Sequence, residues 1–347
     1  MARTEQVDEP LALVRGLADL DRLEALDSYA GEMTRATARL LGDDVDALEV
    51  TQAVAHVNDA LTSRLLELAE ERLGPPPQAY AWLALGSHGR GEQVLSSDQD
   101  NALVYGGPPL VPGDPEEYFA ALAELVVAGL ERAGIPRCSG GYMATAWRHP
   151  VATYTDFFQH WVHDPQPSAL LKTELFLDVR PVWGGLDVDG FGDALLEGGR
   201  RGGFLLAMAR ATVTFKPPLM VFGHVQTDHG YLDVKRSGTA AIVLLARLYA
   251  LAAGSRARTT LSRLEAAGEA GLLSPAGVEQ LAEGYRLLTG LRLRHQLEQA
   301  LAGRPLDNRV RVDSLSHAER RGLRDAIRAV RVVQEITANR YRTHTVT

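Results

Sequence analysis

Residues 81–105, AWLALGSHGRGEQVLSSDQDNALVY, decide how the rest of the chain is read. The first five, Ala81 to Leu85, are an apolar run long enough for a buried strand. Gly86-Ser87 follows at once, and glycines at 86, 89 and 91 allow a tight turn with a ligand close to the backbone. The segment from His88 to Leu95 has room for one or two helical turns. The first N–H groups of such a helix face the turn and make a ready seat for phosphate oxygens. Ser96-Ser97 breaks the pattern, and Asp98-Gln99-Asp100 then leads into the apolar run Ala102-Leu103-Val104.

On a strand, residues i and i+2 point to one face, with Cα atoms roughly 6.5–7 Å apart. Asp98 and Asp100 are therefore expected to converge on a small volume, where two carboxylates repel unless a cation lies between them. Oxygen donors with few His or Cys nearby suit Mg²⁺ or Mn²⁺ better than zinc. A phosphate-binding turn followed by a carboxylate pair points to a metal–nucleotide site.

Gly-Ser, a short helix and Asp-x-Asp on the next strand resemble the nucleotidyltransferases of the DNA polymerase β superfamily. The fuller string GSHGRGEQVLSSDQDNALVY resembles one branch in particular, related to the N-terminal part of PII uridylyltransferase and often found behind CBS or cyclic-nucleotide-binding domains. The likeness continues through CSGGYMATAWR (138–148), FLDVRPVWG (176–184), FKPPLMVFG (215–223), LDVKRSG (232–238) and LRLRHQLEQALAGRPLDN (291–308). It implies an α+β fold, with a small mixed-sheet nucleotidyltransferase domain flanked by helical N-terminal and C-terminal regions. It also implies Mg²⁺ (or Mn²⁺) and an NTP as co-substrate.

Composition agrees with a chain of more than one part. At 347 residues there is ample length for about two domains. No apolar run approaches the roughly 18 residues needed to span a membrane, and MARTEQVDEP lacks the apolar stretch of a signal peptide, so a cytoplasmic location is expected. Cys138 is the only cysteine, which excludes disulfides within the chain and zinc sites built from several thiolates. The net charge is −8, yet residues 286–347 hold 13 Arg against six Asp or Glu. That basic end reads as solvated helix faces pairing with the acidic remainder, and nucleic acid is not the expected partner. Lys172, Lys216 and Lys235 are the only lysines beside 33 Arg, so a retained lysine marks a place where a compact ammonium is useful.

Along the chain, helical periodicity in Leu11, Val14, Leu17 and Leu20, and again in Val54, Val57, Leu61, Leu65 and Leu68, predicts an N-terminal bundle over 1–76. Nothing chemical stands out before residue 80. The α/β domain is expected over 77–185, with a helix from Asp114 or Pro115 to Gly134 and a third strand over Gly141–Trp147. The helical C-terminal domain follows over 186–347, and Ser316-x-x-Glu319 fits a capping box at the start of its last helix.

The resemblance implies a third carboxylate on the strand after the first long helix of the α/β domain, but residues 138–147 contain no Asp or Glu. Asp178, before Val179-Arg180, is the expected substitute; alternatively it pairs with Arg180 or caps a turn. The candidate catalytic set is thus Asp98, Asp100 and Asp178, with Asp98 and Asp100 on the metal. Gly86, Ser87, Gly89 and Arg90 are expected on the phosphates. Lys216, Lys235 and Arg236, in the irregular stretch 215–238, are expected to close over the nucleotide or to shape the acceptor pocket. His88 reads as a solvent-facing residue at a helix start, and Glu92 as a helix-surface residue or a salt-bridge partner of Arg90.

The expected function is Mg-dependent transfer of an NMP group from an NTP to an acceptor hydroxyl. By the resemblance the acceptor is a protein, as in PII uridylylation, and a separate sensor domain or protein is an expected partner. Two alternatives stay open: a nucleotide-binding regulatory module with little or no catalysis, and an RNA-directed nucleotidyltransferase using the Arg-rich end.

Overall fold

The computed structural model describes the chain except residues 1–7, 19, 21, 22, 216, 217, 219–224 and 344–347. It is an α+β protein that divides into two compact units. One holds residues 1–156, 178–191 and 300–304; the other holds 157–177, 192–299 and 305–347.

In the first unit, α1 (Asp8–Ala18), a 3₁₀ turn, α2 (Tyr29–Gly42) and α3 (Ala47–Leu73) precede the sheet. Asp46 caps α3 by accepting from the Leu48 N–H, and Gly74, at φ +85°, ends it. Four strands follow in the order β3-β2-β1-β4: β1 is Ala79–Ala84, β2 Asn101–Gly106, β3 Arg148–Pro150 and β4 Arg180–Gly184. The 25 residues that open the sequence reading become β1, a one-turn helix and β2. The two strands pair antiparallel with Tyr80 opposite Tyr105 and Trp82 opposite Leu103.

That register puts Tyr80, Trp82, Leu103 and Tyr105 on one face. There they meet Val54, Val57, Leu61 and Leu65 of α3 and Phe119, Leu122 and Val126 of α5 (Pro115–Arg132) in one core. Phe119 is wholly buried, with its ring stacked 4.8 Å from that of Tyr105 and tilted 5.3 Å from that of Tyr80. Burying such a side chain contributes about 1.5–3 kcal/mol. The other face of β1 and β2 is covered too, which is why both strands read as nearly continuous apolar runs.

Two expectations are corrected. Residues 141–147 are not a strand: the Ala146 and Trp147 N–H groups both return to the Met143 carbonyl, and Asn101 Oδ1 accepts the Ala144 N–H. The third strand is only Arg148–Pro150, parallel to β2. The helix after β1 spans Gly86–Arg90 and not His88–Leu95. An additional strand, β4, contains Pro181. It is an edge strand, and its pairing with β1 shifts register between Trp82 and Leu83, so the missing N–H is tolerated.

The chain enters the second unit within α6 (Val151–His163). This unit contains α7 (Pro167–Phe176), α8 (Asp189–Gly198), α9 (Gly202–Thr214), α10 (Ala240–Ala252), α11 (Thr260–Glu269), α12 (Pro275–Leu301) and α13 (His317–Tyr341), with a two-stranded ribbon of β5 (Tyr231–Asp233) and β6 (Arg309–Arg311). Phe204 and Met208 of α9 pack on Leu248 and Leu251 of α10. The predicted capping box at Ser316 and Glu319 is formed. Buried Gln334 of α13 donates to the Thr212 and Phe215 carbonyls at the end of α9. Among the described residues, no helix is long and apolar enough to cross a membrane.

Candidate active site

The turn after β1 is built on backbone conformations that favour glycine. Gly86 has φ +54° and opens the one-turn helix α4 (Gly86–Arg90), and Gly91 has φ +69° and closes it. Between them, a Cβ on Gly89 would lie 1.9 Å from the Asp178 carbonyl oxygen and 2.9 Å from that of Ala84. The missing side chain is what lets the Asp178 backbone lie against the turn. The Leu85 N–H, at the entry to α4, donates to the Asp100 carbonyl at 3.0 Å, so turn and carboxylate segment are joined through the backbone.

Asp98 and Asp100 stand just before β2 in extended chain. Gln99 between them bridges in parallel to Arg137, and its N–H donates to the Pro136 carbonyl at 2.9 Å. Alternation then turns Asp98, Asp100 and Cys138 to the opposite face. A carboxylate oxygen from each Asp and the Cys138 sulfur lie within 4.8 Å of one another, all half-buried. Among the described residues this is the one group of three such donors. Its two hard oxygens suit Mg²⁺ or Mn²⁺, and partial exposure leaves room for phosphate oxygens and water to complete the coordination, so the two carboxylates, without the thiol, fit such an ion. Burial and the neighbouring Asp100 carboxylate, which accepts the thiol proton in a hydrogen bond, push Cys138 up to about 11.

Behind the turn lies a layer of ion pairs. Arg90 is 8% exposed; its Nε meets Glu92 Oε2 at 2.6 Å and its Nη1 donates to Asp178, which has no exposed surface. Of the two readings of Glu92, the salt bridge to Arg90 is the one present, and the residue is buried. His88 is not solvent-facing: it is 9% exposed, and its Nε2 lies 2.7 Å from Asp59 Oδ1 of α3. The same oxygen accepts from Arg180 Nη2 at 2.8 Å, and Arg180 also donates to the carbonyls of His88 and Gly89. Burial works against ionisation of Asp59, but hydrogen bonds from His88 and Arg180 outweigh it and hold the carboxyl below the usual aspartate range.

The first unit thus gathers Gly86, Ser87, Gly89 and Arg90 on one turn, with Asp98 and Asp100 tied to its entry. Asp178 is absent from the group formed by Asp98 and Asp100; its carboxylate meets Arg90. Lys235 and Arg236 belong to the second unit, and Lys216 lies outside the described residues. Both described cations are exposed in the first turn of a π-helical segment, Lys235–Thr239, a rare form frequent at functional sites. Asp233 Oδ1 accepts the Arg236 N–H at 2.9 Å. Beside them is a cleft of about 480 Å³, bordered by Phe215, Asp228, Tyr231, Asp233 and Arg236. Arg309 stands 5.7 Å over the Tyr231 ring and pairs with Asp228 at 2.7 Å.

Sequence reasoning missed Asp59, Arg180 and Cys138 as members of this site. Cys138 carried a faint signal, being a lone cysteine in the segment where a third donor was sought. Asp59 carried none, since an acidic residue in an amphipathic helix reads as solvated surface.

Two family models match the chain. One, described as "Putative nucleotidyltransferase DUF294", matches residues 31–168 and contains the turn, both carboxylates and Cys138. The other, "Putative nucleotidyltransferase substrate binding domain", matches residues 202–341 and contains the cleft beside Arg236. No curated protein matches the chain significantly.

Proposed function

From a chain that belongs to the DUF294 family of putative nucleotidyltransferases, we propose an enzyme that moves an NMP group from an NTP to an acceptor hydroxyl. The observation that carries this reading is the convergence of Asp98 and Asp100 within 4.8 Å beside a glycine turn whose entry is bonded to Asp100. The N–H groups of Gly86 and Ser87 hold phosphate oxygens of the NTP. Gly89 keeps the turn tight, and Arg90, anchored by Glu92 and Asp178, fixes it from the interior. Asp98 and Asp100 hold a divalent ion, which when bound screens the phosphates and stabilises the charge that develops on the leaving pyrophosphate. The acceptor oxygen forms a bond to the α-phosphorus as the bond to pyrophosphate breaks, and one of the two carboxylates takes the acceptor proton.

We assign the acceptor to the second unit, where Lys235 and Arg236 supply positive charge beside Tyr231 and the cleft. The chain's net charge of −8 favours a protein acceptor over RNA, whose phosphates it would repel. A cytoplasmic setting accompanies this reading, since NTPs are abundant there.

A second reading is a regulatory module that binds Mg–NTP without turnover. It is favoured by one observation: the third donor beside Asp98 and Asp100 is the Cys138 thiol, while Asp178 is paired with Arg90.

One labelling experiment tests both. The protein is incubated with each α-³²P-labelled NTP, Mg²⁺ or Mn²⁺, and lysate from its own source, and proteins and RNA are resolved separately. A labelled protein band that disappears in Asp98→Ala and Asp100→Ala is expected. Label confined to RNA would overturn the acceptor assignment, and tight metal-dependent NTP binding without any label would favour the regulatory module.

A further inference from the structure

Asp59 belongs to the N-terminal helices, yet its carboxylate touches the turn assigned to the phosphates. Oδ1 binds His88 Nε2 at 2.7 Å and Arg180 Nη2 at 2.8 Å. Arg180 in turn donates to the carbonyls of His88 and Gly89 at 3.2 and 3.3 Å. One carboxylate oxygen therefore fixes both a side chain of α4 and the guanidinium that holds the α4 backbone. The preceding residue of α3, Asn58, extends the grip: it accepts from the Tyr29 hydroxyl at 2.7 Å and donates to Gln93 at 2.9 Å, just beyond α4. His88, Asn58, Gln93 and Asp98 line one cavity of about 10 Å³, about the least space that admits one water molecule. His88 and one of the carboxylates assigned to the metal therefore border the same small space.

We propose that Asp59 is a positioning residue of the nucleotide site, through which α3 sets the conformation of the phosphate turn. This inference rests on the nucleotidyltransferase reading above. Asp59 touches neither nucleotide nor metal; it acts through His88 and Arg180. With Nε2 turned to Asp59, the imidazole is oriented and its Nδ1 is left as the ring's other polar atom. With Arg180 held by the same oxygen, its guanidinium stays bonded to the carbonyls of His88 and Gly89, the backbone of the turn. The arrangement makes the N-terminal helices part of the site, and a force applied to α3 would alter NTP affinity without contact to the NTP.

The test uses the full chain and ATP, GTP, CTP and UTP, each titrated calorimetrically with Mg²⁺. For whichever nucleotide wild type binds best, D59N is expected to raise Kd about tenfold, the lower end for residues that orient a site from behind. H88Q is expected to raise it as well, and the D59N/H88Q double variant to be no weaker than the worse single one, because both remove the same link. A proton spectrum supplies a readout that general destabilisation does not mimic: a downfield imidazole N–H resonance in wild type that is absent from both H88Q and D59N. If D59N does not fold, H88Q and R180Q, which keep Asp59, carry the affinity comparison. Wild-type affinity in D59N, additive losses in the double variant, or no such resonance in wild type would each overturn the inference. Absence of metal-dependent binding of all four NTPs by wild type would instead overturn the nucleotidyltransferase reading, and this inference with it; the resonance would then show whether the pair itself exists.

Discussion

Arg90 donates through Nη1 to the carboxylate of Asp178, 88 residues further along the chain, and neither group is open to solvent. The pair closes the first unit around the turn: Arg90 ends α4, and Asp178 opens the segment that becomes β4. Glu92 takes the other side of the guanidinium at 2.6 Å. One cation therefore faces two carboxylates in a buried setting. In that setting, removing a partner costs more than the pair itself contributes, because a desolvated charge is left behind.

Asp178→Ala is accordingly expected to lower unfolding stability by about 3–5 kcal/mol in urea titrations. Combining it with Arg90→Met and Glu92→Gln should recover part of that loss, since all three buried charges are then removed together. Were Asp178 only a metal ligand, the single variant would be mild and the two further substitutions would not improve on it.

The backbone of Asp178 gives a second, independent prediction. Gly89→Ala puts a methyl group 1.9 Å from the Asp178 carbonyl oxygen and 2.9 Å from that of Ala84, both backbone atoms that cannot swing aside. A loss of about 1–3 kcal/mol is expected, the range for forced overpacking, together with weaker NTP binding as the turn is pushed open. Gly185→Ala, in open space at ordinary φ, serves as the control and should change little. Equal stability for the two variants would contradict the packing described for the turn.

What could be read from the sequence was what local pattern encodes. The apolar run Ala81–Leu85 and the glycine turn are short-range features and form where expected, although the helix occupies Gly86–Arg90 in place of His88–Leu95. The long helices follow from periodicity and from caps such as Asp114 and Ser316. Features that depend on distant partners were not legible. Pro181 argues against a strand unless β4 is known to be an edge. His88 reads as solvent-facing until Asp59, 29 positions earlier, is placed beside it. Cys138 joins the carboxylates only because Gln99 bridges to Arg137, a pairing no local pattern announces. Asp59 and the Cys138 sulfur were hidden for the same reason: long-range pairing decides their neighbours.

Cys138, as the sole cysteine, makes its surroundings measurable. Burial and the Asp100 carboxylate push the thiol up to about 11, so at pH 8 only about one molecule in a thousand carries the reactive thiolate. Alkylation by iodoacetamide in the folded protein should be slow at pH 8 and should rise steeply as pH approaches that value. Asp100→Asn removes a negative neighbour, lowers the thiol's pKa and is expected to speed the reaction at fixed pH. A rate unchanged by Asp100→Asn would separate the sulfur from the carboxylate and dissolve the three-donor group.

Asp59 leaves its own mark on stability as pH falls. Burial raises the pKa of its carboxyl, but hydrogen bonds from His88 and Arg180 outweigh that and leave the folded value below the ordinary one. An unfolded aspartate titrates near 3.9. For a group depressed in the folded state, the stabilisation is fully present above the unfolded pKa and is lost as pH falls through the folded one. Asn at this position cannot ionise, so the difference in unfolding free energy between wild type and Asp59→Asn should be constant above about pH 5 and should narrow below about pH 4. Urea unfolding of both proteins from pH 3 to 7 measures it directly. A gap that stays constant to pH 3 would mean that His88 and Arg180 do not hold the Asp59 carboxylate in its charged form, and the turn would then lack the anchor that α3 gives it.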